Sequence, residues 1–406
     1  MTDGATRGPA HPVVFMLLIT PFGVLSGYLT VAIVYVLSQA GVSVEDVAGL
    51  VAVSFIPQTW KFLWAPIADT TLSRKKWYVI ASVVNAAGLF AMGLLPATAQ
   101  SLPMLYVVAL LANFASTFLA MATESLMVFD TPPEAKGRAS GWFQAGNLGG
   151  GGLGGGAGLW MAQTLPDPWM AGAVLAVACL ACGLALRYVG EPPPMERDRN
   201  PVRNVQRVVK DLWSMVKARR GALALLICFL PIGTGAASGL WSAVADDWHA
   251  SANTVALVTG VASGLVSAAG CFIGGYMCDR MDRKAAYGLF GFLLALCAVG
   301  LALAPRTEAM YIVFTTIYAL ISGLCYAGFT AVTLEAIGRG AAATKYNLFA
   351  SLSNMPIAYM TLVDGWAHTR WGAGGMLYVE AAVGVLAILF FMAVNSTTKK
   401  LTASAS

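Results

Sequence analysis

Apolar residues in this chain come in long runs, each long enough to cross a hydrocarbon layer. A spanning helix needs about 20 mostly apolar residues. Twelve such runs can be marked: 13–38, 47–68, 77–97, 103–128, 138–165, 168–189, 221–245, 252–277, 285–304, 308–337, 344–368 and 373–395. The polar stretches between them are short, apart from 190–220. That segment opens with Glu191-Pro192-Pro193-Pro194, which cannot continue a helix. Within it Val202, Val205, Val209, Leu212 and Val216 recur at helical spacing, with Arg203, Arg207, Lys210 and Lys217 among them. This predicts a basic amphipathic helix lying on a membrane surface. The predicted fold class is an all-α polytopic membrane protein with twelve transmembrane helices. Its expected domains are a six-helix bundle over 1–189, a linker over 190–220 and a second six-helix bundle over 221–406.

Composition narrows the class. Hydrophobic residues make up 58% of the chain and charged residues 11%, against roughly 25% charged in soluble domains. Such a chain cannot cover itself with polar groups in water, which excludes a solvated globular domain, a disordered chain and a disulfide scaffold. All but Lys61, Arg306 and Arg370 of the 25 Lys and Arg residues fall on one side of the predicted spans. By the positive-inside rule, both termini and the central loop are expected in the cytoplasm. The positive charge follows the bilayer rather than a groove, so no nucleic-acid partner is expected. Met1–Pro12 lacks a basic n-region and a small-residue cleavage site, and the run from Val13 reads as a first span. Cys179, Cys182, Cys228, Cys271, Cys278, Cys297 and Cys325 lie in or at the ends of apolar stretches without zinc-site spacing. His11, His249 and His368 sit at span edges. No metal and no cofactor are expected.

The two halves repeat. Pro21-Phe22-Gly23 aligns with Pro231-Ile232-Gly233, and the same offset places Asp69 on Asp279 and Ser43 on Asn253. Ser43 and Asn253 are expected to cap the second and eighth spans. Six spans repeated in parallel and joined by a long loop resemble the plan of the major facilitator superfamily. Gly275-Tyr276-Met277-Cys278-Asp279-Arg280-Met281-Asp282-Arg283-Lys284 resembles that superfamily's cytoplasmic loop motif, with a degenerate first copy over Ala65–Lys75. An Asp at a helix end beside an Arg can pair with neighbouring helix ends in one conformation and separate in another. Asp69, Arg74, Asp279, Arg280 and Arg283 are therefore expected to form a cytoplasmic latch; the alternative is positive-inside residues with counter-ions.

Ionisable groups inside the bilayer are functional candidates by default. They are Lys61, Glu124, Glu335, Asp364 and Glu380. Asn113, Thr117 and Glu124 share a face of the fourth span. Glu124 is the first candidate to load and release a coupling proton, or else a partner for Lys61 or Arg74. Asp364 and Glu380, towards the periplasmic ends of their spans, are the further proton-coupling candidates. Glu335 lies half a turn from the polar stripe of the tenth span and is expected to be a counter-charge for Arg280 or Arg283 in the latch. Lys61 either attracts an anionic solute or pairs with Glu124. The substrate-cavity candidates are Tyr28, Tyr35, Lys61, Asn113, Thr117, Trp241, Tyr318, Ser322 and Tyr326. They follow if the first, fourth, seventh and tenth spans line a cavity, as the superfamily plan implies; packing explains the same aromatic spacing. Nine glycines between Gly146 and Gly158 let the fifth span approach its neighbours closely.

A finer resemblance is carried by Trp60-Lys61-Phe62-Leu63-Trp64-Ala65-Pro66-Ile67-Ala68-Asp69 and by Thr344-Lys345-Tyr346-Asn347-Leu348-Phe349. Both are similar to signatures of the AmpG-type muropeptide permeases, a branch that also resembles acetyl-coenzyme A transporters and siderophore importers. Thr123-Glu124-Ser125, Lys345 and Asn347 depart from that pattern. The resemblance implies a secondary transporter in a bacterial inner membrane. It would take up a bulky polar solute with protons by alternating access, as a monomer in the lipid bilayer and not as an enzyme. The alternatives are efflux by proton antiport and a membrane-embedded transferase.

Overall fold

The computed structural model describes residues 10–130, 136–191, 228–337, 348–349 and 351–403, with single residues at 203, 206, 210 and 226. No strand occurs among the described residues. Eight helical stretches are long and apolar enough to cross a membrane: Val13–Gln39, Arg74–Leu94, Ala99–Met127, Trp169–Tyr188, Ala252–Cys278, Arg283–Leu303, Glu308–Phe329 and Asn354–Val394. The last holds the eleventh and twelfth spans. Gly372, at φ 68°, divides it, and Gly375 then lies against Trp371 and the Ala367 carbonyl, as a reversed chain requires. The second, fifth and seventh spans account for the remainder. The second is Val44–Trp60, a 3-10 turn at Lys61–Leu63, then Ala65–Thr70. The interruption follows from Pro66, which has no N–H to donate back and disfavours helix at the residue before it. The fifth runs from Lys136 to Thr164, its hydropathy lowered by the glycines.

Several helix starts are set by side-chain caps. Ser43 accepts from the Asp46 N–H, Ser73 from Lys76 and Asp282 from Ala285. The eighth span begins at Ser251, which accepts from Thr254, so the cap expected at Asn253 lies two residues earlier. On the face carrying the chain ends, two carboxylates tie segments together. Asp130 accepts from the N–H groups of Ala10 and Gly190, and Glu191 accepts from those of Arg74 and Lys75.

Glycines bring backbones into contact. A Cβ at Gly27 would lie 1.9 Å from the Gly151 carbonyl oxygen, and one at Gly154 would lie 2.0 Å from that of Val24. The first and fifth spans therefore pack backbone to backbone. Gly156 and Gly260 meet in the same way, joining the fifth span to the eighth across the two bundles. Three π-helical segments, Tyr28–Ile33, Leu153–Ala157 and Ala256–Ala262, pack together along this seam. The outer surface is apolar: Leu265 is 72% and Phe272 82% exposed. Side chains so placed would be unfavourable in water and suit lipid. The basic amphipathic helix expected within 190–220 falls outside the described residues.

Candidate functional site

The seventh span, expected to be a continuous helix over 221–245, is broken. Helix ends at Phe229; beyond it come irregular chain and two 3-10 turns, Ala236–Gly239 and Ala245–Trp248. Pro231 lacks an N–H, while Gly233 and Gly235 take φ of 60° and 66°, conformations unfavourable for residues with a Cβ. The matching Pro21 of the first span sits inside a regular helix. The offset that pairs the prolines sets Val24 and Leu25 against Thr234 and Gly235, so the second glycine is peculiar to the seventh span.

Irregular backbone inside a bilayer must find other hydrogen-bond partners, and neighbouring spans supply them. Tyr359 donates to the Phe229 carbonyl at 2.8 Å, Tyr287 to that of Ile232 at 2.8 Å and Tyr311 to that of Trp241 at 2.9 Å. The Ala237 N–H donates to Glu380 Oε1 at 3.2 Å. Four spans, the ninth to the twelfth, thus hold the break open.

Glu380 is the centre of this arrangement. Its Oε1 also receives the Tyr318 hydroxyl, while its Oε2 has no partner. Asp364, 0% exposed, has no partner at either oxygen among the described residues. The two carboxylates stand equally far before and after Gly372; at 1.5 Å per residue each lies about 12 Å from that turn. They are within Coulombic range of one another and of Tyr318. Trp241 closes the cluster, its ring edge-on to Tyr318 at 5.2 Å. Ser322 Oγ, also without a partner, faces Gly235. Beside Glu380 a small crevice is lined by Pro231, Gly233, Thr234, Leu294 and Gly384. Neither carboxylate has an ion-pair partner among the described residues.

The other residues singled out from sequence are distributed differently. Glu124 is half-buried and pairs with neither Lys61 nor Arg74 among the described residues; Lys61 lies in the 3-10 turn. Asn113 donates to the Ala109 carbonyl of its own helix, and Thr117 accepts from Trp64 Nε1 at 2.9 Å. Tyr28 borders an apolar cavity of about 220 Å³ within the first bundle, with Met92, Leu105 and Trp169. Tyr35 is buried near Tyr311 and Asp246. Tyr326 is 60% exposed, whereas Tyr318 on the same helix is buried. Of the latch, the side chains of Asp69, Asp279 and Glu335 lie outside the described residues. The Arg74 guanidinium donates to the Ala68 carbonyl and Arg280 stacks on Tyr276 at 3.9 Å. Sequence reasoning missed the glycine break and the tyrosine hydroxyls that satisfy it. The signal was present as Pro231, Gly233 and Gly235 on alternate positions.

On the face opposite the chain ends, the distal face, the bundles are tied together. Ser38 Oγ donates to the Ala243 carbonyl at 2.6 Å and Gln39 Nε2 to Asp246 Oδ2 at 2.8 Å. His368 meets Asp247 at 2.9 Å within the second bundle. A Cβ on Gly365 would lie 2.3 Å from that of Ala48, which brings the eleventh span against the second.

The family model of the Major Facilitator Superfamily matches residues 13–355 and 223–406. No curated protein matches the chain. Among solved structures, a mutant of the nucleoside transporter NupG superposes with a TM-score of 0.73 at 13% identity, covering 94% of this chain and 98% of that one. A D-xylose-proton symporter gives 0.71 at 15% identity, over 93% and 96%. A POT family transporter in complex with a thioalcohol-conjugated peptide gives 0.71 at 11% identity, over 95% and 96%. These likenesses show the fold.

Proposed function

This chain belongs to the Major Facilitator Superfamily, and from that premise we propose a proton-coupled secondary transporter that takes up a bulky polar solute by alternating access. The bundles over 1–189 and 221–406 are the moving units. The charge asymmetry supports both termini in the cytoplasm, and the sequence resemblance supports a bacterial inner membrane. The substrate class follows the sequence resemblance: a muropeptide-, siderophore- or acyl-coenzyme A-like solute. A neighbour described as a D-xylose-proton symporter is a precedent for proton coupling on this fold. The latch of Asp69, Arg74, Asp279, Arg280, Arg283 and Glu335 is proposed to act at the opposite, cytoplasmic face.

The observation that carries the coupling assignment is Asp364, wholly buried with both oxygens unpartnered, beside Glu380, which has one oxygen unpartnered. An ionised carboxylate in an apolar interior is strongly unfavourable without a compensating charge. The pair is thus a seat for a mobile positive charge, and a proton can reach it without a fixed cation nearby. Glu124, on the other bundle, is the second candidate. Proteoliposomes loaded under an imposed proton gradient test the choice. Asp364→Asn is expected to abolish gradient-driven accumulation while Glu124→Gln retains it; full accumulation by Asp364→Asn would overturn the assignment.

A further inference from the structure

We infer that Glu380 is a positioning residue that transmits proton occupancy of the carboxylate pair to closure of the distal face, through the unwound part of the seventh span; this rests on the coupling reading above. Among the described residues Glu380 supplies the one side-chain bond to an N–H in that unwound chain, at Ala237. A few residues further along the same stretch, the Ala243 carbonyl and the Asp246 carboxylate accept from Ser38 and Gln39 of the first bundle. One short length of chain therefore has its near end on the ion site and its far end on the inter-bundle tie. No long helix intervenes to absorb a shift, only the 3-10 turn Ala236–Gly239, the Trp241 carbonyl held by Tyr311 and the start of the 3-10 turn Ala245–Trp248.

The chemistry gives the direction. An anionic carboxylate is acceptor only and makes strong, charge-assisted bonds, so Oε1 can hold the Ala237 N–H and the Tyr318 O–H together. Once protonated, the carboxyl becomes a donor at one oxygen and a weaker acceptor at the other. Its hold on Ala237 loosens, and the chain carrying Ala243 and Asp246 is freed to leave Ser38 and Gln39. The titratable groups facing Glu380 are Tyr318 from the tenth span, Asp364 from the eleventh and Cys297 from the ninth. Tyr318 and Cys297 are not bases that would hold the proton near neutral pH, and Asp364 is the other half of the pair that shares it with Glu380. Proton loading then favours the distal-open form, in which the site faces the side from which a symported proton arrives.

The test uses the full chain in liposomes with spin labels at Gln100→Cys and Asn253→Cys, exposed positions on the distal sides of the two bundles. The unsubstituted chain sets the background from native cysteines. Lowering pH from about 8 to about 5.5 is expected to raise the ratio of long to short inter-label distances about tenfold, a shift of roughly 1.4 kcal/mol. Glu380→Gln keeps an oxygen acceptor for Ala237 but cannot titrate, and should show no shift. Ala237→Pro removes the N–H while leaving both carboxylates in place, and should also show none. Retention of the wild-type shift by either variant overturns the inference. If uptake is lost in Asp364→Asn while both variants keep the shift, the transmission role alone fails. If Asp364→Asn accumulates solute normally, the coupling reading itself fails.

Discussion

Side chains in this protein do two kinds of polar work inside the membrane, and single residues separate them. The hydroxyls of Tyr287, Tyr311 and Tyr359 complete backbone carbonyls that helix geometry has abandoned. Removing one such hydroxyl leaves a buried carbonyl unsatisfied, at a cost of about 1–3 kcal/mol. Tyr287→Phe and Tyr311→Phe should each lower the thermal unfolding midpoint in detergent, with the fold retained. Asp364 serves no such purpose, since nothing donates to it, so Asp364→Asn should leave the midpoint unchanged or raised while transport is lost. Sequence alone placed Asp364 and Glu380 among the intramembrane carboxylates. It ranked Glu124 first because Glu124 shares a helix face with Asn113 and Thr117, and helical periodicity reports only faces. Burial and pairing depend on how one helix turns back on the next, which periodicity does not contain.

At the scale of elements, the first and seventh spans show how far local pattern reaches. Both carry Pro-x-Gly, and both are apolar enough to be read as helix. One continues through its proline with Gly23 against the fifth span; the other unwinds. Both receive a tyrosine hydroxyl from the third helix of their half, Tyr78 on Leu18 and Tyr287 on Ile232; the difference lies in Gly235 against Leu25 and in Glu380, Tyr311 and Tyr359 on the surrounding helices. Those partners come from distant parts of the chain, so the break was half legible: its glycine was visible, its support was not. Gly235→Leu, which restores the residue of the first span, meets a positive φ and the Ser322 hydroxyl. It should reduce uptake by tenfold or more, about 1.4 kcal/mol in the transport barrier, as measured by initial rates in proteoliposomes. Among the described residues the limits of the spans other than the seventh were close, because hydrophobic length is a property of the sequence itself.

At the scale of the whole molecule, the two halves meet along the π-helical and glycine seam and are pinned at the distal face by Ser38 and Gln39. A disulfide between Ser38→Cys and Ala243→Cys should hold that face shut. Uptake is expected to fall by about tenfold or more on oxidation and to return on reduction; an oxidised, cross-linked protein that still transports at full rate would show that these contacts are not the gate. The repeat offset already implied two related halves, and it predicted that their caps and prolines would match. It did not predict that the halves would differ where the buried carboxylates Asp364 and Glu380 lie.

The turn at Gly372 has a consequence for how the protein enters the bilayer. Because Asp364 and Glu380 flank it symmetrically, both carboxylates belong to one helical hairpin. An acidic residue at the centre of an inserting helix costs about 2.5–3.5 kcal/mol. The twelfth helix offsets this with surplus greasiness: its most apolar stretch has a mean hydropathy of 2.3, the highest of the eight candidate stretches, and Val385 to Val394 is apolar throughout. The twelfth helix is therefore committed to the membrane by its lipid-facing residues and carries its partner in the hairpin with it, leaving Glu380 an acid that no insertion requirement selected.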